Sequence, residues 1–159
     1  MADTIMISEV WDQMVTEMIA DAPLIALLGT QTVSAHKPIF DEWPEYITPV
    51  FPILVYEVKR LNPQDVGYYQ TGIYRPDIEI HIYGTARNVN RNIGNHLEKT
   101  YSIPMRRATA IQTTDWRISQ MLMTDFVDVG SAVVLDTQEH VWHHTSTWST
   151  RVTKRGLAS

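Results

Sequence analysis

The stretch RPDIEIHIYG, residues 75 to 84, constrains the fold most, because its alternation leaves little choice of secondary structure. Ile78, Ile80 and Ile82 recur at every second position, with Asp77, Glu79, His81 and Tyr83 on the opposite parity. Successive strand residues point to opposite faces of a sheet, so this segment is a strand with one apolar and one polar face. The apolar face requires a covering layer. The other face is wet or belongs to an interface. The next segment, TARNVNRNIGNHLEKTY, changes period at once. Ala86, Val89, Ile93, Leu97 and Tyr101 fall at intervals of three or four, along one side of a helix. Gly94 weakens that helix by roughly 1 kcal/mol relative to alanine, so packing must hold it down.

A second helical period runs from residue 4 to 20, where Ile7, Trp11, Met14 and Met18 form a stripe widened by Val10, Val15 and Ile19. DAPLIALLG then reads as a short helix, with Asp21 as N-cap, Pro23 in the first turn and Gly29 as a left-handed stop. Prolines at 38, 44, 49 and 52 forbid a helix interior and favour an extended loop with fragments of edge strand. ILVYEV, residues 53 to 58, is β-branched and apolar enough for a buried strand. The connection after it, about 61 to 75, is long for a compact domain, and such loops are commonly functional or disordered. Its Tyr68, Tyr69 and Tyr74 are of the type enriched at binding surfaces. The last third is β-rich. Trp116, Ile118 and Leu122 share one parity while Met121 and Met123 take the other, so the inward face there stays open. GSAVVLDTQ supplies a turn signal before the final strand.

That final segment, EHVWHHTSTWST at 139 to 150, holds His140, His143 and His144. Its threonines, tryptophans and valine make it a strand by propensity. At about 3.3 Å per residue, His140 and His144 share a face about 13 Å apart, and His143 points the other way. A zinc ion needs each nitrogen about 2 Å away, and the His-x-His spacing that serves a strand is missing. A metal here would have to recruit His81, His96 or an acidic residue from elsewhere in the chain, and the expectation is that these histidines bind none.

Other chemistry is thin. The chain has no cysteine, which excludes disulfides and thiolate metal sites. No G-x-S-x-G, phosphate-cradling glycine loop or H-E-x-x-H is present. Asp77 and Glu79 share a strand face, an arrangement that alternating strands produce constantly. A net charge of −5 argues against a nucleic-acid-binding domain, and a solvated surface accounts for the basic clusters MRRA and TRVTKR. The opening MADTIMISEVWDQM lacks the basic start and unbroken apolar run of a signal peptide, and no stretch approaches the roughly 20 apolar residues of a membrane span. A length of 159 residues favours a single domain.

The order of these elements resembles a known family. An N-terminal helix with a PLIALLG continuation leads through a proline-rich segment to FPILVYEV. After a long loop, PDIEIHIYG runs directly into an amphipathic helix, and a β-rich tail ends in a long strand. Over roughly residues 5 to 152 the chain resembles the tail-terminator, or tail-completion, proteins of long-tailed bacteriophages. The resemblance implies an α+β fold: a mostly antiparallel sheet with an N-terminal helix and a second amphipathic helix packed against it. It implies a structural virion protein, not an enzyme, with no cofactor, no metal and no catalytic residue. Such a subunit forms a homo-oligomer, a hexameric ring. The ring caps the tail tube, ends its polymerisation and joins it to a neck or head-closure protein. Genomic DNA passes through the lumen without specific binding, and no membrane is involved. The protein would sit at the tail–neck junction of the virion after assembly in the host cytoplasm. Other neck components, head-closure and adaptor proteins, are the alternative; a metal- or ligand-binding enzyme is the more distant one. Within this frame His81, Tyr83 and His143 are assigned to the subunit contact, and Tyr68, Tyr69, Ile73 and Tyr74 to the tail tube.

Overall fold

The computed structural model describes residues 2–31, 37–45, 48–59, 73–102, 111–134 and 138–155, with backbone alone at 2–8 and 73–74. Helix α1 spans Ala2–Ala20, α2 Ala22–Leu27 and α3 Arg87–Tyr101. The strands are β1 Ile39–Phe40, β2 Ile53–Val58, β3 Ile73–Tyr74, β4 Asp77–Gly84, β5 Ile111–Gln112, β6 Trp116–Val134 and β7 Glu139–Lys154. They build one sheet in the order β1-β2-β4-β7-β6-β5, and β3 pairs with β7 beyond the end of β4.

The chain is thus a mixed α and β fold, but the expectation of a mostly antiparallel sheet is corrected to a mixed one. β1 runs parallel to β2, with Ile39 opposite Leu54 and Phe40 opposite Val55. Parallel neighbours need a crossover connection, which the proline-containing segment between them supplies. The remaining pairings are antiparallel.

Alternation in β4 sorts its residues between two environments. Ile78, Ile80 and Ile82 are buried with Trp148 and Leu54 under the helices, against Trp11, Met14 and Met18 of α1 and Ile93 and Leu97 of α3. Across the sheet, a smaller cluster of Phe51, Ile53, Val55 and Val141 gathers Phe40, Tyr83 and Val134. Phe51, from the segment between β1 and β2, packs into that second face.

Three irregularities in β6 explain why its inward face was illegible. The register against β7 shifts between Ile118 and Gln120, between Met123 and Asp125, and between Asp128 and Gly130. Each extra residue reverses the parity that follows. Trp116, Ile118 and Met121 are all buried as a result, although they do not share one period of two.

Two glycines have roles other than those expected. Gly29 is not a left-handed stop: a Cβ there would collide with the Val50 carbonyl, and its N–H donates to Pro52 O at 2.8 Å. Gly130 lies inside β6 with φ of +123°, at a bulge, not in the turn. The backbone reverses nearer Gln138, whose φ is 57°.

Polar groups tie the layers together. Asp21 caps α2 by accepting from Leu24 N–H and also accepts from His96 and Tyr101 of α3, each at 2.8 Å. Asn90, fully buried on α3, donates from Nδ2 to Trp142 O and to His144 Nδ1, both at 3.0 Å. A buried amide left without such partners would cost about 1–3 kcal/mol, so these bonds help fix the helix on the sheet.

Candidate functional site

The sheet face opposite the helices holds the three residues assigned to the subunit contact. Tyr83 of β4 lies directly across from His143 of β7, and His81 across from Thr145. The Tyr83 and His143 rings stack with centroids 4.4 Å apart and planes 14° from parallel. His81 follows at 5.1 Å from His143, and Trp43 closes the other end with its edge against Tyr83 at 4.9 Å. The strand pairing makes this ladder, because cross-strand neighbours on one face come within side-chain contact.

Hydrogen bonds lock it. His81 Nδ1 and His143 Nε2 are 2.9 Å apart, and Thr145 Oγ1 lies 3.2 and 3.3 Å from them. On the far side of the His81 ring, Nε2 lies 3.2 Å from Glu79 and 3.6 Å from Glu57. Glu57 and Glu79 face each other across β2 and β4, a like-charge pair that is unfavourable alone. Lys59 Nζ relieves it from 3.3 and 3.4 Å. Burial first, and then the neighbouring His81 and His144, push the His143 imidazole down to about 4, so it is neutral at neutral pH. Burial, followed by the Glu57 charge, raises the Tyr83 phenol.

Beside the ladder lies a cavity of about 260 Å³, walled by Trp43, Tyr83, His143, Val141 and, from β6, Val134 and the run from Val129 to Ala132. β6 also presents an edge. Past the two positions paired with β5, residues 120–134 have β7 on one side and no strand on the other among the described residues. Val127, Val129 and Val133 are 45%, 56% and 51% exposed along it.

The three histidines of the last strand separate as alternation requires. His143 joins the ladder. His140 is exposed and stacks on Trp142, over which the Arg87 guanidinium lies at 3.9 Å. His144 is buried under the helices, with Phe126 against its ring and Asp128 3.8 Å from Nε2. Burial lowers its pKa before any charge acts on it.

Of the residues assigned to the tail tube, Tyr68 and Tyr69 lie outside the described residues. Ile73 and Tyr74 do not belong to a loop: they form β3, paired with Thr153 and Val152. The end of β7 runs past β4 and so offers them a partner. Glu57, Thr145 and Trp43 join the site without having been singled out, because their proximity depends on pairing between β2, β4 and β7 and on the fold of the 41–52 segment.

The Asp21–His96 pair is the other polar cluster of catalytic appearance. His96 presents the same nitrogen, Nε2, to Asp21 at 2.8 Å and to Thr100 Oγ1 at 3.4 Å. A relay from hydroxyl to carboxylate needs both ring nitrogens, so this cluster is not arranged as a triad.

What fold and face define is a small mixed α and β protein whose sheet is covered by helices on one side and displays an aromatic and histidine ladder on the other. No helix among the described residues is long and apolar enough to cross a membrane. No protein-family model matches the chain, and no curated protein matches it.

Proposed function

We propose that this chain is a phage tail-terminator subunit, a structural virion protein that closes into a hexameric ring on the end of the tail tube. The resemblance in element order is the starting point. The observation that favours it is the presence of two different surfaces on one sheet that have no partner element among the described residues: the ladder face of Tyr83, His81 and His143, and the β6 edge with its exposed valines. A ring contact is heterologous and needs two such unlike patches on every subunit. The ring ends tube polymerisation, holds the neck or head-closure protein, and lets genomic DNA pass through its lumen without specific binding. It works by shape and contact, with no catalytic step, at the tail–neck junction of the virion.

The test is native mass measurement of the purified protein combined with electron microscopy, with and without tube ends. Rings of six with a central hole on tube ends are expected. A dodecamer would favour an adaptor, and a protein that stays monomeric and ignores tube ends would reject the reading.

A further inference from the structure

We propose that His81 and His143 together bind one divalent transition-metal ion of the zinc type, held between β4 and β7 on the sheet face opposite the helices. The spacing argument against metal concerned histidines along one strand, where His-x-His is absent. Pairing across two strands supplies what the single strand lacks. His81 Nδ1 and His143 Nε2 converge to 2.9 Å. Two imidazoles on a tetrahedral zinc, each about 2.0–2.1 Å from the ion, stand about 3.3 Å apart. The two nitrogens need to separate by only a few tenths of an ångström, with both rings turning so that their lone pairs meet at an ion about 1.2 Å off the line between them.

The surroundings are those of a prepared ligand pair. Metal-binding histidines commonly donate their other N–H to a carboxylate, which fixes the tautomer and raises the basicity of the ligating nitrogen. His81 Nε2 has Glu79 at 3.2 Å and Glu57 at 3.6 Å, leaving the Nδ1 lone pair aimed at His143. His143 is held by its stack on Tyr83, so little rotamer freedom remains to be lost on binding. In the bound form each ring keeps one N–H, His81 on Nε2 and His143 on Nδ1. Thr145 Oγ1, 3.2 and 3.3 Å from the two nitrogens, is placed to hydrogen-bond one of the two waters that would complete a four-coordinate ion.

A rival donor set exists on the same face. Ligand atoms of Glu57, Glu79 and His81 lie within 4.8 Å of one another. Lys59 already supplies a cation to both of those carboxylates, so an ion there would have to displace its ammonium group. The imidazole pair has only a proton to rearrange. The inference does not depend on the ring reading, since it uses contacts within one chain.

The experiment is calorimetric titration of the full-length, tag-free chain with Zn²⁺, with melting curves recorded in parallel with and without the ion. Wild type should bind one ion per chain and melt higher with it. His143→Phe keeps the ring stack on Tyr83 but removes the nitrogen, and should weaken binding by at least tenfold. Glu79→Gln, which removes the nearer carboxylate contact to His81 Nε2, should weaken it by about tenfold. His140→Phe should change nothing. If His143→Phe does not melt cooperatively, His143→Gln takes its place. No binding by wild type, or equal affinity in the His143 variant, overturns the site. Loss of binding in Glu57→Gln with retention in His143→Phe would place the ion on the carboxylates and equally overturn it.

Discussion

Asp21 Oδ2 lies 2.8 Å from His96 Nε2, joining the cap of α2 to the middle of α3. The same oxygen accepts from Tyr101, and Oδ1 caps the helix through Leu24 N–H. Removing the carboxylate takes away the cap and strips two part-buried donors of their acceptor. Asp21→Ala should therefore lower stability by about 2 kcal/mol, read by urea unfolding. Burial alone would raise the Asp21 pKa, but the bonds from His96, Tyr101 and Leu24 outweigh it and the net shift is downward. A depressed folded pKa means stabilisation that is complete above the unfolded value of about 3.9 and is lost as pH falls through the folded value. Wild type should lose stability more steeply than Asp21→Asn below about pH 4. Parallel acid-unfolding curves would count against the assignment.

Gly94 is the place where helix propensity and packing disagree. A Cβ there would stand 2.5 Å from the Phe126 ring of β6. Alanine should gain up to about 1 kcal/mol in helix propensity, but overpacking typically costs 1–3 kcal/mol. Gly94→Ala should thus be destabilising in wild type and neutral or stabilising once Phe126→Ala has emptied the space. A double-mutant cycle by chemical denaturation measures the coupling. Additive effects would mean that the ring moves aside at no cost.

These positions show what was legible from residues alone. The period of two in β4 declared both its faces, and the three-to-four period of α3 placed Ile93 and Leu97 in the core. β6 defeated the same reasoning because its three register shifts reset the alternation, and a bulge leaves no mark in residue type except Gly130. At the site, His81 and Tyr83 were visible as an outward face. Thr145 and Glu57 were not, since they are brought near by register between strands distant in sequence.

Assembly should depend on the edge of β6 more than folding does. Val127 and Val133 are about half exposed, and surface substitutions away from special features usually change stability by no more than about 0.5 kcal/mol. An exposed strand edge is a template for pairing, and lysine is a common way to block it. Val127→Lys with Val133→Lys should leave the melting temperature nearly unchanged while lowering the ring population in sedimentation velocity. These positions are cleaner probes than His81, where aspartate would put a third carboxylate beside Glu57 and Glu79. Rings persisting at wild-type concentrations in the double variant would move the contact off this edge.

Tube capping is expected to depend on the connection that carries Tyr68 and Tyr69. It is long for a link between two strands, and Gly67 and Gly72 give it backbone freedom in the sequence. Ile73 and Tyr74 no longer count as its free end, because β3 pins them to Val152 and Thr153. A tube contact made by tyrosines would combine a large apolar ring with a hydroxyl, the character enriched in interface cores. Shortening must therefore stop before β3: residues 64 to 72 replaced by a brief glycine-serine link leave the β3–β7 pairing its full length. Ring formation, followed by native mass, should survive. Capping of purified tubes should fail, and tails assembled with this variant should run past their normal length. The finer variant, Tyr68→Ser with Tyr69→Ser, should reproduce the capping loss without altering the backbone. Normal tail length in both variants would transfer the tube contact to another part of the ring.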